Sequence, residues 1–477
     1  MRSLRTVVLL TAATVLAASA VAAPTFASAA RVRAAVSPQA AVAGYFTPLA
    51  SPARILDTRT THAFGPGQTS PLYVGGSHAV AGLPTSGVSS VVFNLTVTQG
   101  TAGSDYVTVF PTGSARPNVS NINFKKGWTG ANLVTVKLGT NGEVSFYNHS
   151  GQVHLIVDLV GWYSSGSASA TGEFQEALPQ RLVDTRSASV GPVAPRGTIT
   201  QPLDYSPIDT PPGNHKNVAP NPNIKAMLVN ITVVNPGGTG YITAWNGNAS
   251  RPNASALNFR YPNTVTNLAV VPVAPCPASL CTDPDVSGLP AITLYNGSDV
   301  KVNVLIDAWG FYDDGGLQPT GLTYKPLASP VRIVDTRNGT GTTTLGAGTT
   351  RTVHAPSSVV DAATVMLVQN VTGIPSANTY LTLWRNGEDK PYVNNVDPRT
   401  GLITATLAYA GVGGANDFNI YNYTGTTNVL VDVAGSMEPG PGNTGVAAIQ
   451  PKAVAGAGSA TGSATGWSAR TPAPVKR

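Results

Sequence analysis

The residues best suited to chemistry in this chain are aspartates and arginines that recur in two short motifs. Arg-x-x-Asp-Thr-Arg appears three times, and a later Asp-x-x-Gly follows each copy. The charged members are Arg54, Asp57, Arg59 and Asp158; then Arg181, Asp184, Arg186 and Asp307; then Arg332, Asp335, Arg337 and Asp432. Each set holds two carboxylates and two guanidinium groups. Such groups can pair with one another, or they can bind or hydrolyse a polar ligand.

The late aspartates favour the structural interpretation. Asp158 shares a strand face with Ile156, and the residues between are apolar as well. A buried carboxylate needs a partner, and a guanidinium fork fits it best. An enzyme rarely needs one catalytic pair three times, whereas a structural ion pair is needed in every repeat. We therefore predict structural ion pairs in each repeat, no catalytic residues and no enzyme.

Other catalytic and metal-binding patterns are missing from the sequence. The six histidines show no ligand spacing, and there is no Gly-x-Ser-x-Gly, His-Glu-x-x-His or Walker motif. We predict no metal and no cofactor. Cys276 and Cys281 lie five positions apart. They are predicted to form a small loop-closing disulfide, with a reduced pair as the alternative.

Three landmarks in one order define three modules. Between the two charged motifs, each repeat carries Tyr-Asn, at Tyr147, Tyr295 and Tyr421. The predicted modules span residues 44–164, 172–314 and 322–437. Residues 438–477 are rich in Gly, Ala, Ser, Thr and Pro, which is typical of a flexible tail.

Within a module the apolar residues alternate with a period of two. Tyr106-Val-Thr-Val-Phe110 is one such run, and about eight short runs of this kind are separated by Gly, Pro, Asn and Ser. The sequence predicts an all-β protein of three tandem β-sandwich modules, either jelly-roll or Ig-like.

One face of that strand carries large aromatic residues in every module. They are Tyr106, Phe110, Tyr241, Trp245, Tyr380 and Trp384. Exposed aromatics flanked by hydroxyl groups suit stacking on sugar rings or packing against a protein. The alternative is that the following segment, such as Arg116-Pro-Asn118, covers this face. The sequence leaves both possibilities open.

The start of the chain has the pattern of an export signal. Arg2 and Arg5 precede an apolar run, and Ala27-Ser28-Ala29 has the form that a signal peptidase cleaves. We predict a signal peptide over residues 1–29, a secreted or cell-surface protein, and no membrane span in the mature chain. The net charge of +6 comes from basic residues near the two ends, so the body is nearly neutral. Nucleic acid is therefore not an expected partner.

These motifs resemble the tandem modules of secreted actinobacterial surface proteins. The resemblance rests on Arg-x-x-Asp-Thr-Arg, on Arg-Pro-Asn-x-Ser-x-x-Asn-Phe from Arg116 and Arg251, on Tyr-Asn, and on the closing Asp-x-x-Gly. The third module departs from it, with Lys390-Pro-Tyr392 and Ser436-Met437 at the matching places. The resemblance implies a stand-alone exported protein or an appendage of a secreted enzyme, and it supplies no catalytic residues.

The expected function is adhesion, cell-surface structure or binding of an extracellular polymer, without catalysis. The expected partner is an extracellular polysaccharide or a surface protein. Weak sites repeated in series gain from avidity, which suits a multivalent binder. A carbohydrate-binding protein that uses the strand-end aromatics is the first alternative, and a secreted hydrolase is the second.

Overall fold

The computed structural model describes residues 44–166, 172–207, 223–276, 281, 287–314, 321–440, 467–470 and 475–476. The predicted signal peptide lies outside these residues. Within them the regular structure is β-strand, apart from three single-turn 3-10 helices at Thr58–Thr60, Gly76–His78 and Thr140–Gly142. The all-β fold is thus confirmed, in keeping with the alternating apolar residues of the sequence.

The first module contains eight strands. They are β1 (Phe46–Asp57), β2 (Thr69–Tyr73), β3 (Val88–Thr98), β4 (Asp105–Pro111), β5 (Ile122–Phe124), β6 (Gly130–Lys137), β7 (Glu143–Asn148) and β8 (His154–Ser164).

The second module has the same strands plus two short ones beside its longer loops. They are β9 (Glu173–Asp184), β10 (Thr198–Pro202), β11 (Asp204–Pro207), β12 (Ile224–Val234), β13 (Gly240–Trp245), β14 (Leu257–Phe259), β15 (Val265–Pro272), β16 (Ala274–Pro275), β17 (Pro290–Asn296) and β18 (Asn303–Asp313).

The third module has seven strands, and two short strands follow near the C-terminus. They are β19 (Leu322–Asp335), β20 (Thr349–His354), β21 (Met366–Pro375), β22 (Leu381–Arg385), β23 (Thr404–Gly411), β24 (Asp417–Asn422), β25 (Thr427–Pro439), β26 (Trp467–Arg470) and β27 (Val475–Lys476).

The C-terminal segment corrects part of the sequence prediction. Residues 438 and 439 belong to β25, inside the range predicted as a flexible tail. Farther on, β26 pairs with β11 and β27 pairs with β10. Residues 438 and 439 extend the ladder between β25 and β19, whereas β26 and β27 add to strands of the second module that offer free backbone groups.

Strand order identifies the sandwich as a jelly roll. The first module has an inner sheet, β1-β8-β3-β6, and an outer sheet, β2-β7-β4-β5. The second repeats this with the inner sheet β9-β18-β12-β15 and the outer sheet β10-β17-β13-β14. The third has the inner sheet β19-β25-β21-β23 and the outer sheet β20-β24-β22, in which a single bridge from Leu381 to Val396 takes the place of the short outer strand.

Apolar side chains form a core inside each sandwich and one further cluster between the sandwiches. The fourth cluster takes residues from the opposite face of all three inner sheets, including Val92, Leu228 and Val368. Both faces of each inner sheet are therefore buried, which explains why these strands read as nearly continuous apolar runs. All of this lies within one compact unit, Ala41–Arg477.

Three tyrosines meet inside this shared cluster. The Tyr163 hydroxyl lies 2.6 Å from that of Tyr312 and 3.2 Å from that of Tyr409, and the Tyr312 and Tyr409 hydroxyls are 3.2 Å apart. Tyr163 and Tyr312 are the second-to-last residues of the equivalent strands β8 and β18, where the third module has Met437. Tyr409 comes from β23 and supplies the third hydroxyl. A strand of the third module thus provides the hydroxyl that Met437 lacks.

The first strands of the modules also join one another through their backbones. The Gly44 N–H donates to the Tyr324 carbonyl at 2.8 Å, and the Phe46 N–H donates to the Gly172 carbonyl at 2.8 Å. Leu322 pairs with Phe174 across β19 and β9. Each module therefore contacts both others, in a closed cycle of contacts.

Candidate functional site: the charged motifs and the clefts between modules

The buried aspartate of each late strand lies against the first arginine of the motif. Arg54 donates to Asp158 at 2.8 and 3.1 Å through two nitrogens. Arg181 and Asp307 are joined in the same way, at 2.7 and 3.0 Å, and Arg332 and Asp432 at 2.7 and 2.9 Å. The three carboxylates are at most 2% exposed. Strands β1 and β8, and their equivalents, are thus joined by a bidentate ion pair beside their backbone ladder.

Burial and the arginine act on these carboxylates in opposite directions. Burial raises the pKa of Asp158, while hydrogen bonds and charge from Arg54 lower it. The same balance raises the pKa of Asp307 and of Asp432. Removing the arginine would leave a carboxylate in a place where water cannot replace the lost partner.

The second aspartate of the motif forms its own fork with the second arginine. Arg59 donates to Asp57 at 2.8 and 2.6 Å, and these bonds lower the pKa of Asp57 to about 2. Hydrogen bonds from the following arginine also lower the pKa of Asp184 and of Asp335. The partners are Arg186 and Arg337, at 2.6 Å in each case. All twelve charged motif residues are therefore engaged with one another.

The aromatic strand face is largely covered, so the stacking hypothesis is wrong for half of its residues. Phe110, Trp245 and Trp384 are 5, 6 and 8% exposed. The Trp245 and Trp384 indoles donate to the loop that follows their strand, at the carbonyls of Ala249 and Glu388. This loop folds back because the central threonine of each strand donates to it. The pairs are Thr108 with the Val119 carbonyl, Thr243 with that of Ala254, and Thr382 with that of Val393.

The other three residues of that face, Tyr106, Tyr241 and Tyr380, are half-buried. Each tyrosine lies beside the tyrosine of Tyr-Asn in its own module, with ring centroids 6.1 to 6.4 Å apart. A basic side chain covers that second ring: Arg116 at 3.7 Å from Tyr147, Arg251 at 3.8 Å from Tyr295, and Lys390 at 4.8 Å from Tyr421. A cation over a ring face holds the loop against the outer sheet.

The same loop reaches into the neighbouring module. The amide of Asn94 in the first module donates to the Ser255 carbonyl of the second. Asn230 of the second donates to the Asn394 carbonyl of the third at 2.6 Å. Asn370 of the third donates to the Ser120 carbonyl of the first, also at 2.6 Å, which completes the cycle.

Two equivalent clefts open at two of the three interfaces. The first cleft, of about 310 Å³, lies between modules one and two; its lining includes Arg54, Arg59, Thr96, Thr98, Tyr241, Arg251, Asn253 and Asn258. The second cleft, of about 320 Å³, lies between modules three and one; its lining includes Arg332, Arg337, Thr372, Ile374, Tyr106, Asn118 and Asn123. In both, one module supplies the two motif arginines and the next supplies the tyrosine and the loop.

At the third interface, the corresponding groups bond across the boundary. Asp397, at the position of Asn123 and Asn258, accepts a hydrogen bond from Thr266. Arg399 donates to the Thr264 carbonyl at 2.8 Å and to the Asn263 side chain at 3.3 Å. Side chains of modules two and three thus occupy this boundary themselves.

Two further predictions concern cysteines and metal ligands. Cys276 and Cys281 are joined by a disulfide. Among the residues that the structure describes, no group of three or more His, Cys, Asp or Glu could hold a metal ion. No helix in the described ranges has the length and apolar character needed to cross a membrane.

The sequence interpretation missed the residues that join the modules. Asn94 and Asn230 each stand in an Asn-x-Thr sequence, the form of a glycosylation sequon, yet both are buried. Their recurrence with Asn370 at one position of an otherwise apolar strand is the signal that could have revealed them. Buried Arg385, which donates to Glu176 of the second module at 2.6 Å, carries no such repeat signal.

Sequence comparisons match the chain to no known family. No protein-family model and no curated protein matches the chain. It is similar to a chain in the atomic structure of Sulfolobus Turreted Icosahedral Virus, with a TM-score of 0.17, 7% identity, and coverage of 82% of this chain and 92% of that one. It is also similar to a chain from a study of the triple jelly roll fold and turret assembly in an archaeal virus, with a TM-score of 0.15, 8% identity, and coverage of 83% and 91%. Likeness at this level carries no argument about function.

Proposed function

We propose that this is an exported, non-catalytic protein that binds an extracellular polymer at or near a cell surface. The observation that supports the proposal is the mutual pairing of all twelve recurring charged residues. A carboxylate held by a guanidinium fork at 2.6 to 2.8 Å is not free to exchange protons with a substrate. The repeated motif then serves the architecture, and the surface that it builds serves binding.

We do not propose that the strand-end aromatics as a group bind carbohydrate. Phe110, Trp245 and Trp384 are at most 8% exposed and present no free ring face. Tyr106 and Tyr241 remain accessible, but they do so as part of the two clefts. Binding therefore belongs to the boundaries between modules rather than to the strand face as a whole.

The test is an incubation of the mature protein with insoluble plant, fungal and bacterial cell-wall polysaccharides. The readouts are protein in the pellet and sugar in the supernatant. Retention without sugar release is the expected result. Release of sugar would establish a hydrolase instead, and retention by no material in the panel would contradict polymer binding.

Export is tested separately on the protein from its own culture. Amino-terminal sequencing of the material outside the cell should give a chain that starts just after Ala29. A protein that stays in the cytoplasm with Met1 intact would contradict the proposed location.

A further inference from the structure

The mouths of the two clefts carry amide groups that nothing in the fold requires. Asn118 and Asn253 are both exposed. Within the described part of the chain, neither side chain makes a hydrogen bond, although each belongs to the lining of its cleft. They occupy the same position in the Arg-Pro-Asn loop, where the third module has the fully exposed Tyr392.

Behind each amide lies a set of donors whose directions are fixed. Arg59 in the first cleft and Arg337 in the second are each held by two hydrogen bonds to an aspartate. A guanidinium held in this way keeps its other N–H groups at set angles and does not lose freedom when a ligand arrives. The arginine and the amide line the same cleft, so both can donate to hydroxyl groups of a ligand bound there.

A half-buried tyrosine completes each cleft. Tyr106 stacks on His149, with ring centroids 4.6 Å apart and planes 20° apart, and it thereby keeps one orientation. The Tyr241 ring packs directly on Gly297, so closely that a β-carbon at that position would lie 2.3 Å from the ring. This contact confines the ring on one side. A fixed aromatic ring next to fixed polar groups suits a ligand with an apolar ring face and a polar edge.

We propose that each cleft binds a segment of a hydroxyl-rich glycan chain, with the asparagine and arginine donating to ring hydroxyls and the tyrosine packing against a sugar face. This inference rests on the proposed function and gives it a location and a ligand class. A protein partner fits less well, since protein interfaces depend on a buried apolar anchor at their centre. The first cleft is lined at its mouth by arginines, threonines and asparagines instead.

The third boundary predicts the number of sites. Asp397 and Arg399 of the third module bond to the second module there, through Thr266 and Thr264. A ligand would have to break these contacts between modules. Among the residues that the structure describes, the repeat therefore gives two glycan sites, and the boundary between modules two and three does not add one.

The experiment uses the full mature chain and the polysaccharide that retains it best in the panel described above. Three variants are compared by depletion isotherms: Asn118→Ala, Asn253→Ala and the double substitution. Asn248→Ala is the control, because Asn248 is an exposed asparagine of the same module as Asn253 that lies outside the residues lining both clefts. The Asn248 amide donates to the Pro275 carbonyl at 2.9 Å, so the melting temperature of this variant is compared with that of the unsubstituted chain before its binding is measured. Thermal melting checks that all variants fold, as is expected for exposed side chains.

Each single variant should bind about two- to tenfold more weakly, as loss of one hydrogen bond predicts, and the double variant at least about tenfold more weakly because avidity is lost as well. The control should bind like the unsubstituted chain. If the double variant is retained as well as the unsubstituted chain, the clefts are not the site, while polymer binding stands. If no polysaccharide of the panel retains the unsubstituted chain, both the glycan inference and the polymer proposal fall.

Discussion

At the scale of single residues, the fold depends on charges that are buried and paired. Asp307 is fully buried, and Arg181 donates to both of its carboxylate oxygens. The exposed pair of Arg196 and Asp299 in the same module has a similar length, 2.7 Å, but its carboxylate is 86% exposed. Water can replace the partner in the second pair and cannot in the first, so equal distances imply unequal contributions to stability.

This contrast predicts the effect of removing each carboxylate. Asp307→Ala should lower the free energy of unfolding by about 2–3 kcal/mol, because Arg181 loses two charged hydrogen bonds and keeps only Asp184, at 3.6 Å. Asp299→Ala should change it by less than about 1 kcal/mol. Urea unfolding of both variants beside the unsubstituted chain measures the difference. Equal losses in the two variants would show that burial of the pair is not what matters.

The second aspartate of the motif predicts a dependence on pH. Arg59 lowers the pKa of Asp57 to about 2 from its ordinary value of 3.8. The pKa is lower in the folded state, so this carboxylate adds stability that is fully present above about pH 4 and is lost as the pH falls toward 2. The stability difference between the unsubstituted chain and Asp57→Asn should therefore be constant from pH 7 to about 4.5 and shrink below that. A difference that stays constant down to pH 2 would contradict the assignment of the low pKa to Asp57.

At the scale of elements, the strands could be predicted from sequence and their mutual contacts could not. Alternation placed Tyr106 to Phe110 on a strand, and β4 covers these residues. The same pattern cannot show that the inner sheets bury both faces, because an apolar run reads alike whether its second face meets a helix, a sheet or another module. The pairing of Arg54 with Asp158 was predictable, since it depends only on burial and charge.

One break in the repeat explains two buried polar atoms without partners. Asn132 of the first module donates to the Asn370 side chain of the third at 2.8 Å, and Asn267 of the second donates to the Asn94 side chain of the first at 2.9 Å. The third module has Thr406 at this position, and both the Thr406 hydroxyl and the Asn230 side-chain oxygen lack a hydrogen-bond partner. Because threonine is shorter than asparagine, the corresponding hydrogen bond from the third module to Asn230 of the second is not made.

Restoring the missing amide should therefore stabilise the protein. Thr406→Asn should donate to the Asn230 oxygen and raise the free energy of unfolding by about 1 kcal/mol, the usual net value of a buried hydrogen bond. Asn267→Thr provides the reverse comparison. It should cost at least about 1–3 kcal/mol, because it removes the donor to the Asn94 oxygen and to the Ala256 carbonyl and the acceptor of the Leu133 N–H. Urea midpoints report both changes. A loss of stability in Thr406→Asn would mean that the interface has no room for the larger side chain.

At the scale of the whole molecule, the three jelly rolls share a core that no single module could bury alone. Tyr163, Tyr312 and Tyr409 come from different modules and are fully or almost fully buried together. Exposing such a face on a separate module would leave a large apolar surface in water. The modules should therefore unfold together, although each has its own sandwich core.

Substitutions at Tyr312 test this shared core in the intact chain. Tyr312→Ala removes a ring that packs on Phe46 of the first module and on Phe174, at centroid distances of 4.3 and 5.2 Å. It should cost about 3–5 kcal/mol, as large-to-small substitutions of buried aromatics do, whereas Tyr312→Phe should cost only about 1 kcal/mol for the lost hydroxyl contacts. Calorimetry should show one transition, with calorimetric and van't Hoff enthalpies that agree and with a midpoint that Tyr312→Ala moves as a whole. Several transitions, of which only that of the second module moved, would show three independent domains, and the clefts between them would then lack the fixed walls on which glycan binding depends.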